Sequence, residues 1–87
     1  MQNLTLKVVV NFAPNKKFPQ WRYWFDFVDA SGKNYFVQSP VSKGRYNFLE
    51  NHTYNFDACT ELIKFPFLPS TYIKLTRIKN IREVNQL

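Results

Sequence analysis

Apolar and polar residues alternate in short runs, each ended by a turn signal, and this pattern most limits what the chain can become. In the first run Leu4, Leu6, Val8, Val10 and Phe12 fall on one side, and Thr5, Lys7, Val9 and Asn11 on the other. Period two sustained from Leu4 to Phe12 describes a strand with one buried face. A second strand is expected from about Trp21 to Val28, aromatic on both faces. Asp29-Ala30-Ser31-Gly32-Lys33 then reads as a hairpin turn, with Gly32 supplying positive φ. Asn34 to Ser39 returns as the third strand and stops at Pro40. Thr53 to Ile63 forms the fourth, with Tyr54, Phe56, Ala58 and Leu62 opposed to Thr53, Asn55, Asp57 and Glu61.

Two segments read less simply. Between Pro40 and Asn51 the pattern is weak, and a short helix or an irregular crossover fits it. From Thr71 to about Val84, Ile73 and Leu75 alternate as in a strand, yet Leu75, Ile78, Ile81 and Val84 recur every three residues. A helix is the alternative there. The β-branched content, Pro66 and Pro69 just upstream and the lack of a clear cap favour a bulged strand.

Five strands with little helix predict an all-β domain, a small five-stranded barrel whose closure removes aggregation-prone edges. An SH3-like barrel is the structural alternative. The 87 residues form one domain, 1–87, with a mobile tail expected from about residue 83. A chain this short hides only about 60–65% of its unfolded surface, so its core must be dense. Nine Phe, five Tyr and two Trp supply that density and exceed what the core needs, which leaves rings for the surface.

Twelve Lys and Arg against six Asp and Glu give a net charge of +6, a field that concentrates polyanions. The single Cys59 permits no internal disulfide, and Lys7 interrupts the only apolar N-terminal stretch, so a cytoplasmic protein with no membrane partner is expected. Enzymatic chemistry is not expected. His52 is the only histidine, Gly32 and Gly44 are the only glycines, and the six carboxylates show no close paired spacing beyond Asp26 and Asp29, which flank a turn. No catalytic residue, metal ligand or cofactor is assigned.

The run Trp21-Arg22-Tyr23-Trp24-Phe25-Asp26-Phe27-Val28-Asp29-Ala30-Ser31-Gly32-Lys33 resembles the second strand and following turn of OB-fold domains. Tyr72-Ile73-Lys74-Leu75-Thr76-Arg77-Ile78-Lys79-Asn80-Ile81 is similar to their basic, β-branched last strand. Size and charge are similar to the minimal single-stranded DNA-binding proteins of phages and mobile elements. The resemblance implies an OB-fold-like barrel that binds single-stranded DNA with little sequence preference in replication, recombination or transfer, often as a homodimer. The alternatives are a cold-shock-like RNA-binding protein and a protein-interaction module.

Single strands are held by cations on phosphates and by flat rings stacked on bases. Folding the hairpin about Ser31 pairs Phe27 with Tyr35 and Phe25 with Val37, the more apolar face and so the core, together with Tyr23. Trp24 and Phe36 then lie on the outer face with Arg22, as a stacking platform; a register slipped by one residue is the alternative and would put both rings in the core. Lys16, Lys17 and Trp21 in and after the first loop, Lys33 in the turn, Lys43, Arg45 and Tyr46 on the crossover, and Lys64 and Phe65 in the last loop complete the candidate nucleic-acid-binding set. Phe65, Phe67 and Leu68 make that last loop unusually apolar. They are equally suited to plug the barrel end or to bind a second copy or another protein.

Overall fold

A computed structural model of the chain describes residues 1–12, 22–40, 46–67 and 69–84. Five strands account for most of them: β1 (Gln2–Phe12), β2 (Arg22–Val28), β3 (Asn34–Pro40), β4 (Thr53–Lys64) and β5 (Thr71–Val84). Their order, β1-β2-β3-β5-β4, returns to β1 through the β1–β4 pair and closes a barrel-like ring of hydrogen bonds. All neighbours are antiparallel except β3 and β5, which run parallel. A plain up-and-down meander cannot give this order. The fold is all-β and barrel-like, with no helix among the described residues.

β1 serves two neighbours in succession. Gln2–Lys7 pair with β4, and Lys7–Phe12 pair with β2. A bulge between Val8 and Val10 bends the strand at the changeover. It also resets the alternation. Leu6 and Val8 are buried as expected, but Val10 is 39% exposed, while Asn11 comes opposite the core residue Phe25. The perfect period two in sequence thus covers a strand that changes face after Val8.

The same device resolves β5. Between Asn55 and Cys59, β4 advances two residues at each step while β5 advances three, from Arg82 to Lys79 to Thr76. The extra residues accompany positive φ at Arg77 (55°) and Asn80 (57°). One added residue turns period two into period three, which keeps Ile78 against the core alongside Ile73 and Leu75. The three-residue spacing is a bulged strand, not a helix. Glu83 and Val84, where a tail was expected to begin, still pair with Tyr54 and Thr53.

The hairpin register is the expected one, with Phe25 opposite Val37 and Phe27 opposite Tyr35. These four join Leu6, Val8, Tyr54, Phe56, Ala58 and Leu75 in the core. Leu62 was expected with Tyr54 and Phe56 but is 70% exposed, because the β4–β5 hairpin runs on past the end of the core. The side chains of Phe12 and Tyr23 lie outside the described residues.

The crossover, irregular over residues 46–49 rather than helical, delivers Phe48 to the centre of the barrel. It is 1% exposed and meets Phe25, Phe27, Tyr54 and Phe56 with ring centroids 5.0–5.8 Å apart. Backbone bonds moor this segment to β1: Val8 N–H donates to His52 O (2.9 Å) and Asn51 N–H to Val8 O (2.8 Å). Asn11 Nδ2 donates to Phe48 O at 2.8 Å, and Leu49 N–H donates to the Tyr54 hydroxyl at 3.0 Å.

At the β2–β3 turn Gly32 takes φ 90°, a value that a side chain disfavours. The Asp29 carboxylate accepts from Ser31 N–H, Ser31 Oγ, Lys33 N–H and Tyr35 OH at 2.7–3.1 Å. These bonds, that of the Ser31 hydroxyl above all, hold its pKa down from 3.8 to about 2.

Two predictions concern stability. Phe48→Ala is expected to cost about 3–5 kcal/mol in urea unfolding, a large share of the roughly 5–15 kcal/mol that holds a small domain folded. For Asp29, protons bind the unfolded chain more readily than the folded one. The turn's contribution is therefore complete above the ordinary carboxylate pKa and lost as pH falls towards the folded value of about 2. A plot of Tm against pH should fall less steeply in this acid range for Asp29→Asn than for the wild type.

Candidate functional site

The alternation that buries Phe25, Phe27, Tyr35 and Val37 turns Trp24, Asp26 and Phe36 to the outside of the barrel. Asp26 lies directly opposite Phe36, and Trp24 opposite Gln38. Trp24 therefore reaches Phe36 on the diagonal, within range for large rings on one sheet face. The two rings are stacked, with centroids 4.7 Å apart and planes 7° from parallel.

Three more rings extend this cluster. Phe36 meets Tyr72 of β5 at 6.3 Å and Phe65 at 5.8 Å, and Phe65 meets Tyr72 at 5.9 Å. Phe67 follows Phe65 at 5.7 Å and is 78% exposed. The loop after β4 therefore folds back beside the outer face rather than into the barrel end, so its apolar content belongs to the Trp24 surface. Leu68 lies outside the described residues.

The cluster covers the narrowest seam of the barrel. Pairing between β3 and β5 is confined to Tyr35 with Ile73 and Phe36 with Lys74. Phe36 is consequently only 2% exposed although it faces outward. The expected two-ring platform becomes one accessible ring, Trp24, lying on a covered one. Trp24, Phe65 and Tyr72 are each partly exposed.

Polar groups surround the rings. Trp24 Nε1 donates to Asp26 Oδ1 at 2.6 Å, which fixes the orientation of the indole. Burial pushes the Asp26 carboxyl above its usual pKa, and the bond from Trp24 partly opposes that rise. Lys74, in register with Phe36, is partly exposed, and Lys64 at the end of β4 is exposed. Among the described residues no Lys or Arg is engaged in a salt bridge, the one ion pair being His52 with Glu83. Their charges are available to an outside partner.

The other candidates distribute as follows. Lys33 is exposed in the β2–β3 turn, five residues along the strand from Gln38, the partner of Trp24, or roughly 17 Å. Tyr46 leaves the surface cluster expected of it, packing against Phe25 at 6.4 Å and Phe48 at 5.4 Å as part of the core margin. Lys16, Lys17, Trp21, Lys43 and Arg45 lie outside the described residues, as does the side chain of Arg22. Tyr72, Lys74 and Asp26 were missing from the sequence-derived set. Tyr72 and Lys74 alternate outward on β5, but only the parallel β3–β5 pairing shows that they adjoin Phe36.

A second, polar surface lies on β1, β4 and β5. Asn3 and Asn55 exchange side-chain bonds of 2.9 and 3.1 Å, Asn3 and Asn80 donate to Asp57, and Arg82 Nε donates to Asn55 at 3.1 Å. This network ties the bulged half of β5 to its neighbours. Arg77 and Lys79 stand exposed along the same half of the strand. Among the described residues no three His, Cys, Asp or Glu side chains gather as a metal site, and no helix is long and apolar enough to cross a membrane.

In comparisons with known proteins, the chain matches no protein-family model, no curated protein and no solved structure.

Proposed function

We propose that this protein binds single-stranded DNA, with little sequence preference, through the outer face of β2, β3 and β5 and the loop after β4. The observation that carries the reading is Trp24 laid flat on Phe36, on a sheet face with Phe65, Phe67 and Tyr72 and with Lys64 and Lys74, which are engaged in no salt bridge among the described residues. A ring held flat from below can accept an unstacked base at little cost in ordering, and each such stack contributes about 1–3 kcal/mol. The net charge of +6 supplies the sequence-independent attraction to phosphate. OB-like barrels commonly bind oligonucleotides with this face and with the loops at its edges. Replication, recombination or transfer of a small genome is the setting that the resemblance to minimal phage proteins suggests.

A second reading follows from Phe67 and Leu62, which are 78% and 70% exposed. In that reading the end of the β4–β5 hairpin docks a protein, and the positive charge is incidental. RNA remains an outcome of the same test, since stacked rings do not discriminate sugars.

Anisotropy of labelled oligonucleotides, followed over a range of salt, tests the proposal. Single-stranded DNA should bind more tightly than duplex, with log affinity falling by about 0.7 per phosphate contact for each unit of log salt. Trp24→Ala should weaken binding by about 1–3 kcal/mol and lower Tm without unfolding the protein, because the indole covers Phe36 but lies outside the barrel core. Equal affinity for duplex, or an unchanged affinity in Trp24→Ala, rejects the stacking mechanism. No binding at low salt transfers the case to protein docking, which Phe67→Ala would then disrupt.

A further inference from the structure

Asp26 is out of keeping with a surface meant only to attract a polyanion. It stands on the outer face of β2, directly across from Phe36 and two residues from Trp24. Oδ1 accepts the indole N–H, and Oδ2 has no hydrogen-bond partner among the described residues. No described cation neutralises the carboxylate. A negative charge here repels phosphate, so a bound backbone must run elsewhere, towards Lys74 and Lys64. The part of a nucleotide that can approach Asp26 is then the base, and only through N–H groups.

Resting on the single-strand reading above, we infer that Asp26 is a specificity-determining residue that favours bases bearing an exocyclic amine over thymine. The chemistry is that of base edges. Cytosine N4 and adenine N6 each present an NH₂ group that a carboxylate oxygen can accept from. Guanine offers N1–H and N2–H₂ side by side. Thymine has only N3–H, flanked by two carbonyl oxygens that a carboxylate repels. The bond from Trp24 couples the two functions, because the indole that carries the base also orients the acceptor. Burial, which raises the Asp26 pKa, points the same way: a half-desolvated carboxylate gains more from an N–H donor than a hydrated one does.

The test compares homopolymers of about 16 nucleotides, the upper site size of one OB-like module, as dC, dA and dT strands. The wild-type protein should bind dC and dA about five- to a hundredfold more tightly than dT. In Asp26→Asn, which preserves size and an acceptor for the indole, the three should converge to within about twofold, because an amide donates as well as accepts. Affinity for dT should rise as the repelling charge is lost. Wild-type binding to dT as tight as to dC and dA overturns this inference and leaves single-strand binding intact. Failure to bind any strand overturns the single-strand reading itself. A preference for dC and dA that persists in Asp26→Asn, with Tm and near-ultraviolet circular dichroism unchanged, assigns the selectivity to stacking and rejects Asp26 as its source.

Discussion

The packing of Phe48 edge-to-face against Phe25, Phe27 and Tyr54, and tilted against Phe56, is the interaction on which the rest depends. The barrel's strands supply many rings but leave a central space that none of them fills. Phe48 fills it from a segment without regular secondary structure. Each such ring pair contributes about 0.5–1.5 kcal/mol beyond the area it buries, so one side chain joins strands from both sides of the barrel. Because that segment is also hydrogen-bonded to β1, filling the core and fixing the crossover are a single event.

With the interior filled in this way, the outer rings are released for another purpose. Trp24, Phe65, Phe67 and Tyr72 are not needed to close the centre of the barrel, yet they gather at one place on its outside. Part of the cause is structural. The parallel β3–β5 seam is the narrowest, and Phe36 beneath the other rings shields it from water. Shielding requires Phe36 to be covered, but it does not require Phe67 to stand 78% exposed or Trp24 to lie flat at the surface. That surplus of accessible ring area motivates the proposed single-strand contact.

Charge is arranged with similar economy. The carboxylates Asp29 and Asp57 are spent on local structure, one capping the hairpin turn and the other holding Asn3 and Asn80. Those bonds lower both pKa values. Asp26 is the exception, raised by burial rather than lowered by partners. With these acids committed to amides and hydroxyls rather than to lysines, the positive charges stay at the surface, where they act at long range on a polyanion.

Strand number, strand limits and the hairpin register were legible in the sequence, because alternation and turn chemistry are local and a slip of one residue would expose every ring on one side. Trp24 and Phe36 were assigned to the outer face on that register, but a strand aromatic on both faces left a slip of one residue open, and the pairing of Phe25 with Val37 decided between them. Bulges were legible only in part. The threefold spacing of Leu75 and Ile78 hinted at β5, whereas nothing in the unbroken alternation of β1 announced that Val10 would turn outward. The role of Phe48, the covering of Phe36 and the joining of Tyr72 and Lys74 to the Trp24 face were decided by tertiary structure alone. Each depends on a parallel pair or a crossover that brings together residues tens of positions apart, and local periodicity carries no information about which distant strands will meet.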